Sequence, residues 1–415
     1  MKFFTDFHIH SKYSRATSRD MDLEHLDKWA QIKGVKVLGT GDFTHPVWLT
    51  SLKDELEPAE QGLYKIKSKN SDRRFILTSE ISCIYSKKNR VRKIHILVLA
   101  PSFEVVDQIN AKLNLIGNLK SDGRPILGLD AKELAKIVLN TSEDCLIVPC
   151  HCLTPWFAIF GSKSGFDSIE ECFEDFSKYI YAMETGLSAD PKMLWRMPDG
   201  RKITLISNSD AHSPQKIGRE ANCFDTDISY FAITEAIKSK DPKKFLFTIE
   251  FFPEEGKYHF DGHRACEIRF SPKETKKYHG ICPVCAKPLT VGVLSRIEIL
   301  ADKPEGFIPA NAIPFYSLVP LEEVIADSLG KNTGTKEVVK EYNNLIEKAG
   351  SEFDILLNIP REELEKMSLP QIVDGIIKIR EGKVFKDPGY DGVYGKIGTA
   401  PSEEKKMITR QNTLF

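Results

Sequence analysis

The stretch Asp6-Phe7-His8-Ile9-His10 constrains this chain more than any other. Phe3, Phe4, Phe7 and Ile9 form an apolar, β-prone frame. A strand turns alternate residues to one side, so His8 and His10 are expected to project together. Two neutral imidazoles side by side are a metal-ligand pair. One such pair is commonplace, and its weight comes from the other ionisable residues that the chain places in similar surroundings.

From Met1 to about residue 240, short apolar runs alternate with amphipathic stretches. Runs 35–40, 74–77, 94–99, 145–149, 179–183 and 203–206 read as buried strands, and 23–32, 103–114 and 132–139 as helices. This alternation predicts an α/β fold with a parallel sheet or a closed barrel, whose site lies at the carboxyl ends of the strands. A chain of 415 residues exceeds one simple core. The expected division is a catalytic barrel over 1–245, a small metal-binding domain over 246–300, a helical domain over 301–400 and a flexible tail over 401–415. Helices are expected over 321–329, 336–349, 361–367 and 370–381.

A formal net charge of -1 excludes a global polyanion-binding signature, so any nucleic-acid contact must be local. No apolar run reaches the roughly 18–20 residues of a membrane span, and no signal-peptide pattern precedes the first strand. Nine cysteines do not form a disulfide framework, and Cys282-Pro283-Val284-Cys285 reads as metal binding. The expected location is therefore intracellular and cytoplasmic.

Strand or strand-end positions hold Asp42 and His45 in Gly41-Asp42-Phe43-Thr44-His45, Glu80, His95, His151, and Asp210 with His212. Imidazoles interleaved with carboxylates suit zinc, manganese or iron, and a carboxylate can bridge two ions. Several divalent ions close together activate water and clamp phosphoryl oxygens, so phosphoester hydrolysis is the expected chemistry. His263-Arg264-Ala265-Cys266 followed by Cys282-Pro283-Val284-Cys285 offers two knuckles of a structural zinc, with His259 and His279 as rival fourth ligands.

The first of these sets resembles the PHP (polymerase and histidinol phosphatase) superfamily. The resemblance implies a distorted seven-stranded β/α barrel with a metal cluster in its mouth. His8, His10, Glu80 and Asp210 would hold one ion, Glu80, His95 and His151 a second, and His212 with the Asp42/His45 turn a third. The chain departs from the pattern at Asp42-Phe43-Thr44-His45, where many members have adjacent Asp and His.

With the zinc knuckles and helical region added, nearly the whole chain resembles the endonuclease Q family of DNA-repair nucleases. That likeness implies incision 5′ to deoxyuridine, hypoxanthine, xanthine or an abasic site, with zinc, and magnesium or manganese as alternatives in the cluster. Its partner would be damaged DNA with the lesion base flipped out. Arg264, Arg269, Lys273, Lys276, Lys277, Lys287 and Arg296 form a local basic patch suited to that partner. The ending Gln411-Asn412-Thr413-Leu414-Phe415 resembles half of a sliding-clamp-binding peptide. Two alternatives remain at this point: a small-molecule phosphoesterase of the same superfamily, and a DNA-binding scaffold with an inactive barrel.

Overall fold

The computed structural model describes residues 1–67 and 69–399. The C-terminal segment read as a tail and clamp-binding peptide lies outside the described residues. A mixed α/β architecture dominates, built on an eleven-stranded sheet. Its path runs from Phe315–Ser317 through Phe245–Glu250, Ala221–Asp225, Lys2–Asp6 and Val35–Gly39 to Arg74–Lys87. Arg90–Ala100 pairs with Arg74–Lys87 on one side and Leu146–Pro149 on the other. Ala182–Glu184 and Thr204–Ile206 form a separate parallel pair. This pair is tied in where Cys152 N–H donates to the Glu184 carbonyl at 3.1 Å and Ser207 exchanges hydrogen bonds with the Asn222 side chain.

The expectation of a purely parallel sheet gives way to mixed pairing, and one turn accounts for much of the change. Lys88 and Asn89 both take positive φ, 51° and 58°, the pattern of a two-residue type I′ turn. That turn folds Arg74–Lys87 back on Arg90–Ala100 as a long antiparallel hairpin with no helix between. Two apolar runs that the sequence suggested as separate strands are thus the arms of one hairpin.

Helices form where apolar spacing and caps agree. Leu23–Lys33 starts at Asp22, whose side chain accepts from His25 N–H, and stops at Gly34 with φ 86°. Leu321–Leu329, Lys336–Ala349, Arg361–Met367 and Pro370–Arg380 fall where the three-to-four periodicity placed them. No described helix is long and apolar enough to cross a membrane. Phe245–Glu250 and Phe315–Ser317 pair in parallel at the edge of the main sheet, so chain beyond residue 245 completes that sheet.

The helical region is fastened to the sheet layer by a buried ion pair. Lys33 Nζ lies 2.6 Å from Glu352, each side chain only 5% exposed. The same carboxylate accepts from Tyr342 Oη at 2.7 Å and Leu321 N–H at 3.0 Å. Removing one partner strands a buried charge, so Glu352→Ala is expected to lower unfolding stability by about 3–5 kcal/mol in urea denaturation. The double change Lys33→Met with Glu352→Gln removes both charges and is expected to recover most of that loss.

Candidate metal centre and active site

The strand Lys2–Asp6 ends two residues before His8, so pleat alternation does not place the histidine pair. Two bonds across the layer do. Phe7 N–H donates to Asn208 Oδ1 at 2.9 Å, and His10 N–H to the Ala211 carbonyl at 3.0 Å, which holds 7–10 extended against the loop carrying Asp210. His8 and His10 still converge, with ring centroids 5.4 Å apart. Asp6, buried below, accepts from Ser209 N–H and Gly218 N–H and fixes both ends of that loop.

Glu80 is the hub. In the hairpin register it lies opposite Leu97, and Ser82 opposite His95, so Glu80 and His95 are diagonal neighbours on one face. Glu80 Oε1 sits 2.6 Å from His95 Nδ1 and 3.3 Å from His151 Nε2. Its Oε2 lies 3.2 Å from His10 Nε2, 3.5 Å from His8 Nε2 and 3.0 Å from Arg124 Nη1. Asp210 Oδ1 closes the ring at 3.1 Å from His10 Nε2 and 3.7 Å from His8 Nε2. The ligand atoms of His8, His10, Glu80 and Asp210 lie within 4.8 Å of one another, and so do those of Glu80, His95 and His151.

The donor set fits divalent cations. His8 Nε2 is buried and has no hydrogen-bond partner, a state that costs free energy unless something else occupies the space before it. Burial tends to raise the Glu80 carboxyl, but His95, Arg124 and His8 outweigh it and hold the group well below the usual carboxylate range. His95 is pushed down to about 4 by burial against the upward pull of Glu80 and is neutral at pH 7, the form that ligates.

The third expected site is not assembled. Asp42 spends its oxygens on His10 Nδ1 at 3.1 Å, on Ser11 N–H and on the Ser11 and Ser14 hydroxyls, so it orients His10. His45 stacks on Tyr13 at 4.5 Å. The His212 ring lies 4.5 Å from that of His10, and its Nδ1 is 2.9 Å from the Asp210 carbonyl oxygen. Among the described residues, no three-ligand group joins His212 to Asp42 or His45.

Glu184 was not picked out from the sequence. Its two oxygens lie 2.9 and 3.0 Å from His8 Nδ1, and they accept from His151 N–H and Asn208 Nδ2. A carboxylate on the far ring nitrogen fixes the tautomer and turns Nε2 toward the cluster. The signal was its place after a short apolar run in Ala182-Met183-Glu184, as Glu80 follows the run 74–77, although Glu80 lies within the longer strand Arg74–Lys87. Gly186, with φ 70°, lets the chain pass His151, because a Cβ there would fall 2.6 Å from the His151 Cα. Asp42, His151 and Asp210 also hold positive φ, a local strain that collects at functional sites.

Below Glu184 lie two further buried acids. Glu250 accepts from the Thr185 and Thr248 hydroxyls and is pushed up by burial to about 8, while Glu220 is raised by burial and by Glu250. A carboxyl raised in the folded state adds stability below its ordinary value of 4.5, and that contribution is lost as pH rises through 8. Urea unfolding of the metal-free protein is therefore expected to weaken from pH 5 to 9, and more gently in Glu250→Gln.

The ligand atoms of His263, Cys266, Cys282 and Cys285 also lie within 4.8 Å of one another, whereas His259 and His279 stand outside the group. His263 and Cys266 flank the turn of the hairpin Asp261–His263 with Ile268–Phe270. Cys282 and Cys285 sit in a knuckle closed by Ala286 N–H to the Cys282 carbonyl at 2.9 Å. Burial raises the Cys282 thiol, but backbone N–H groups of Cys285 and Val284 outweigh it and bring the thiol to about 7, favouring thiolate. In the neighbouring basic patch, Lys273, Lys276, Lys277 and Lys287 are exposed. Arg296 instead is buried and donates to the Phe160 and Phe166 carbonyls and Asp167, so it serves packing. Cys282→Ala is expected to remove one metal equivalent per chain by elemental analysis, whereas His8→Ala should leave that equivalent in place.

Residues 320–383 match a family described as the MJ0043 C-terminal domain. Protein MJ0043 of Methanocaldococcus jannaschii is 37% identical over 262 residues, 61% of this chain and 32% of that protein, so the match spans about a third of that relative's length. Protein YqxK of Bacillus subtilis is 28% identical over 421 residues, with 95% and 99% coverage. The crystal structure of the lesion-specific endonuclease PfuEndoQ from Pyrococcus furiosus superposes with a TM-score of 0.85 at 31% identity, over 98% of this chain and 99% of that one. Endonuclease Q in complex with a 27-mer duplex substrate bearing an abasic lesion at the active site gives 0.85 at 32% identity, over 97% and 98%. These likenesses place the chain in a class, the DNA endonucleases. Within that class it belongs to the endonuclease Q family.

Proposed function

We propose that this chain is a metal-dependent DNA repair endonuclease that hydrolyses the phosphodiester 5′ to deaminated bases, namely deoxyuridine, hypoxanthine and xanthine, and to abasic sites. The observation that carries the reading is the convergence of four imidazoles on the Glu80 carboxylate, with a buried His8 Nε2 left unpartnered. The family's solved complex with abasic DNA supports the choice of damaged duplex as substrate.

In this reading the N-terminal part is a PHP-type distorted barrel, 246–300 a zinc-binding domain and 301–400 a helical DNA-binding domain. His8, His10, Glu80 and Asp210 would hold one ion and Glu80, His95 and His151 a second, with Asp42 and Glu184 as orienting partners and His212 at the rim. Divalent cations, when bound there, would lower the pKa of a water toward neutral pH and draw charge from the phosphoryl oxygens. The protein supplies position: Asp42 and Glu184 lock the imidazoles, and the hairpin holds Glu80 and His95 on one rigid face. His263, Cys266, Cys282 and Cys285 would hold a structural zinc, because three thiolates and an imidazole are the donor set such a site uses. The exposed lysines beside that knuckle engage the backbone of the damaged strand, whose lesion base leaves the stack at a cost of a few kcal/mol.

The test uses the full chain loaded in turn with zinc, manganese or magnesium, and labelled duplexes carrying deoxyuridine, deoxyinosine, deoxyxanthosine or an abasic site. Incision confined to the lesion strand and abolished by chelator is expected. Asp210→Ala should lower incision by more than about a hundredfold while sparing DNA affinity. Turnover of small phosphomonoesters alone would establish a phosphoesterase instead, and binding without turnover a scaffold.

A further inference from the structure

Arg124 belongs to no ligand group, yet its guanidinium is hydrogen-bonded to the hub of the cluster. Nη1 donates to Glu80 Oε2 at 3.0 Å, the oxygen that also faces His8 and His10. Among the described residues, no other hydrogen bond of that guanidinium is found, although the group carries five N–H donors in a fixed fork. Its side chain is 26% exposed, so it reaches solvent beside a centre whose carboxylate is fully buried.

The position is built rather than fortuitous. Gly123, just before it, donates its N–H to the Tyr13 carbonyl at 3.0 Å and accepts from Thr44 Oγ1 at 3.1 Å. A Cβ on Gly123 would lie 2.3 Å from Asp42 Oδ2 and 2.4 Å from Ser14 Oγ, so only glycine lets this loop close on the residues that orient His10. On the other side Ser82 N–H donates to the Pro125 carbonyl at 3.0 Å, which ties the loop to the hairpin arm carrying Glu80. Arg124 is thus fixed to two of the elements that form the cluster, the segment after His10 and the hairpin arm carrying Glu80.

A permanently charged guanidinium beside a site for divalent cations is repelled once they are bound, unless an anion lies between. The planar fork suits the non-bridging oxygens of a phosphodiester. We propose that Arg124 is a catalytic residue that grips the scissile phosphate, donating to a non-bridging oxygen and opposing the charge that grows there in the transition state. It remains protonated throughout and transfers no proton. This inference rests on the reading of the centre as a phosphodiesterase.

The competing account is that Arg124 only neutralises Glu80 while no ion is bound. Full-length, metal-loaded Arg124→Ala, Arg124→Gln and Arg124→Lys separate the two. Elemental analysis should show unchanged metal content. Single-turnover incision of an abasic duplex should fall about 10²–10³-fold in Arg124→Ala and Arg124→Gln, and less in Arg124→Lys, with part of the Arg124→Ala loss restored by added guanidinium. Calorimetric titration with inorganic phosphate should show binding to the metal-loaded wild type weakened at least about tenfold in Arg124→Ala. Unchanged phosphate affinity and incision, or metal lost in step with activity, would overturn the proposal. If the wild type cuts no lesion, the nuclease reading fails, and the phosphate titration still decides whether Arg124 is an anion ligand.

Discussion

A carboxylate cut off from water must find all its compensation within the protein, and Glu80 is such a group. Four imidazoles and one guanidinium surround it, delivered by the N-terminal extended segment, the hairpin, the loop before Ile126–Leu127 and the segment after Leu146–Pro149. The sheet's mixed order brings those four pieces of chain to one point. Without the tight turn at Lys88 and Asn89, His95 would not lie diagonal to Glu80, and the two ligand groups would not share a residue.

Much of this was legible because apolar spacing and strand-end chemistry are local. The four C-terminal helices and the strand positions follow from periodicity, and Leu23–Lys33 from periodicity with its Asp22 and Gly34 caps. The knuckles were legible because two-residue spacing between ligands is itself a geometric statement, and the structure excludes His259 and His279 as rivals. The convergence of His8 and His10 was expected for the wrong reason: two long-range bonds place them after the strand has ended.

What escaped the sequence is what depends on contacts between distant segments. Asp42 looked like a ligand, and the structure turns its oxygens to His10, Ser11 and Ser14, contacts that its neighbours in sequence do not reveal. Glu184 differs from any solvated glutamate through its burial and its contacts with distant residues, His8 176 residues away among them. Arg124 sits in a polar loop whose sequence gives no sign that it reaches Glu80, 44 residues earlier. Arg296 looked like part of a cationic surface and is buried among carbonyl groups.

The placement of Arg296 makes the two metal-binding regions mechanically dependent. It grips the loop that follows His151, the loop whose Phe157 packs 4.7 Å from the His95 ring, while Ser162 Oγ reaches the Val291 carbonyl. A chain shortened to the first 245 residues would retain every cluster ligand in its sequence. It would lose this brace, together with the edge strands Phe245–Glu250 and Phe315–Ser317. The part of the chain that carries the Glu80 cluster is therefore not a detachable module: its geometry is borrowed in part from the scaffolding that follows it.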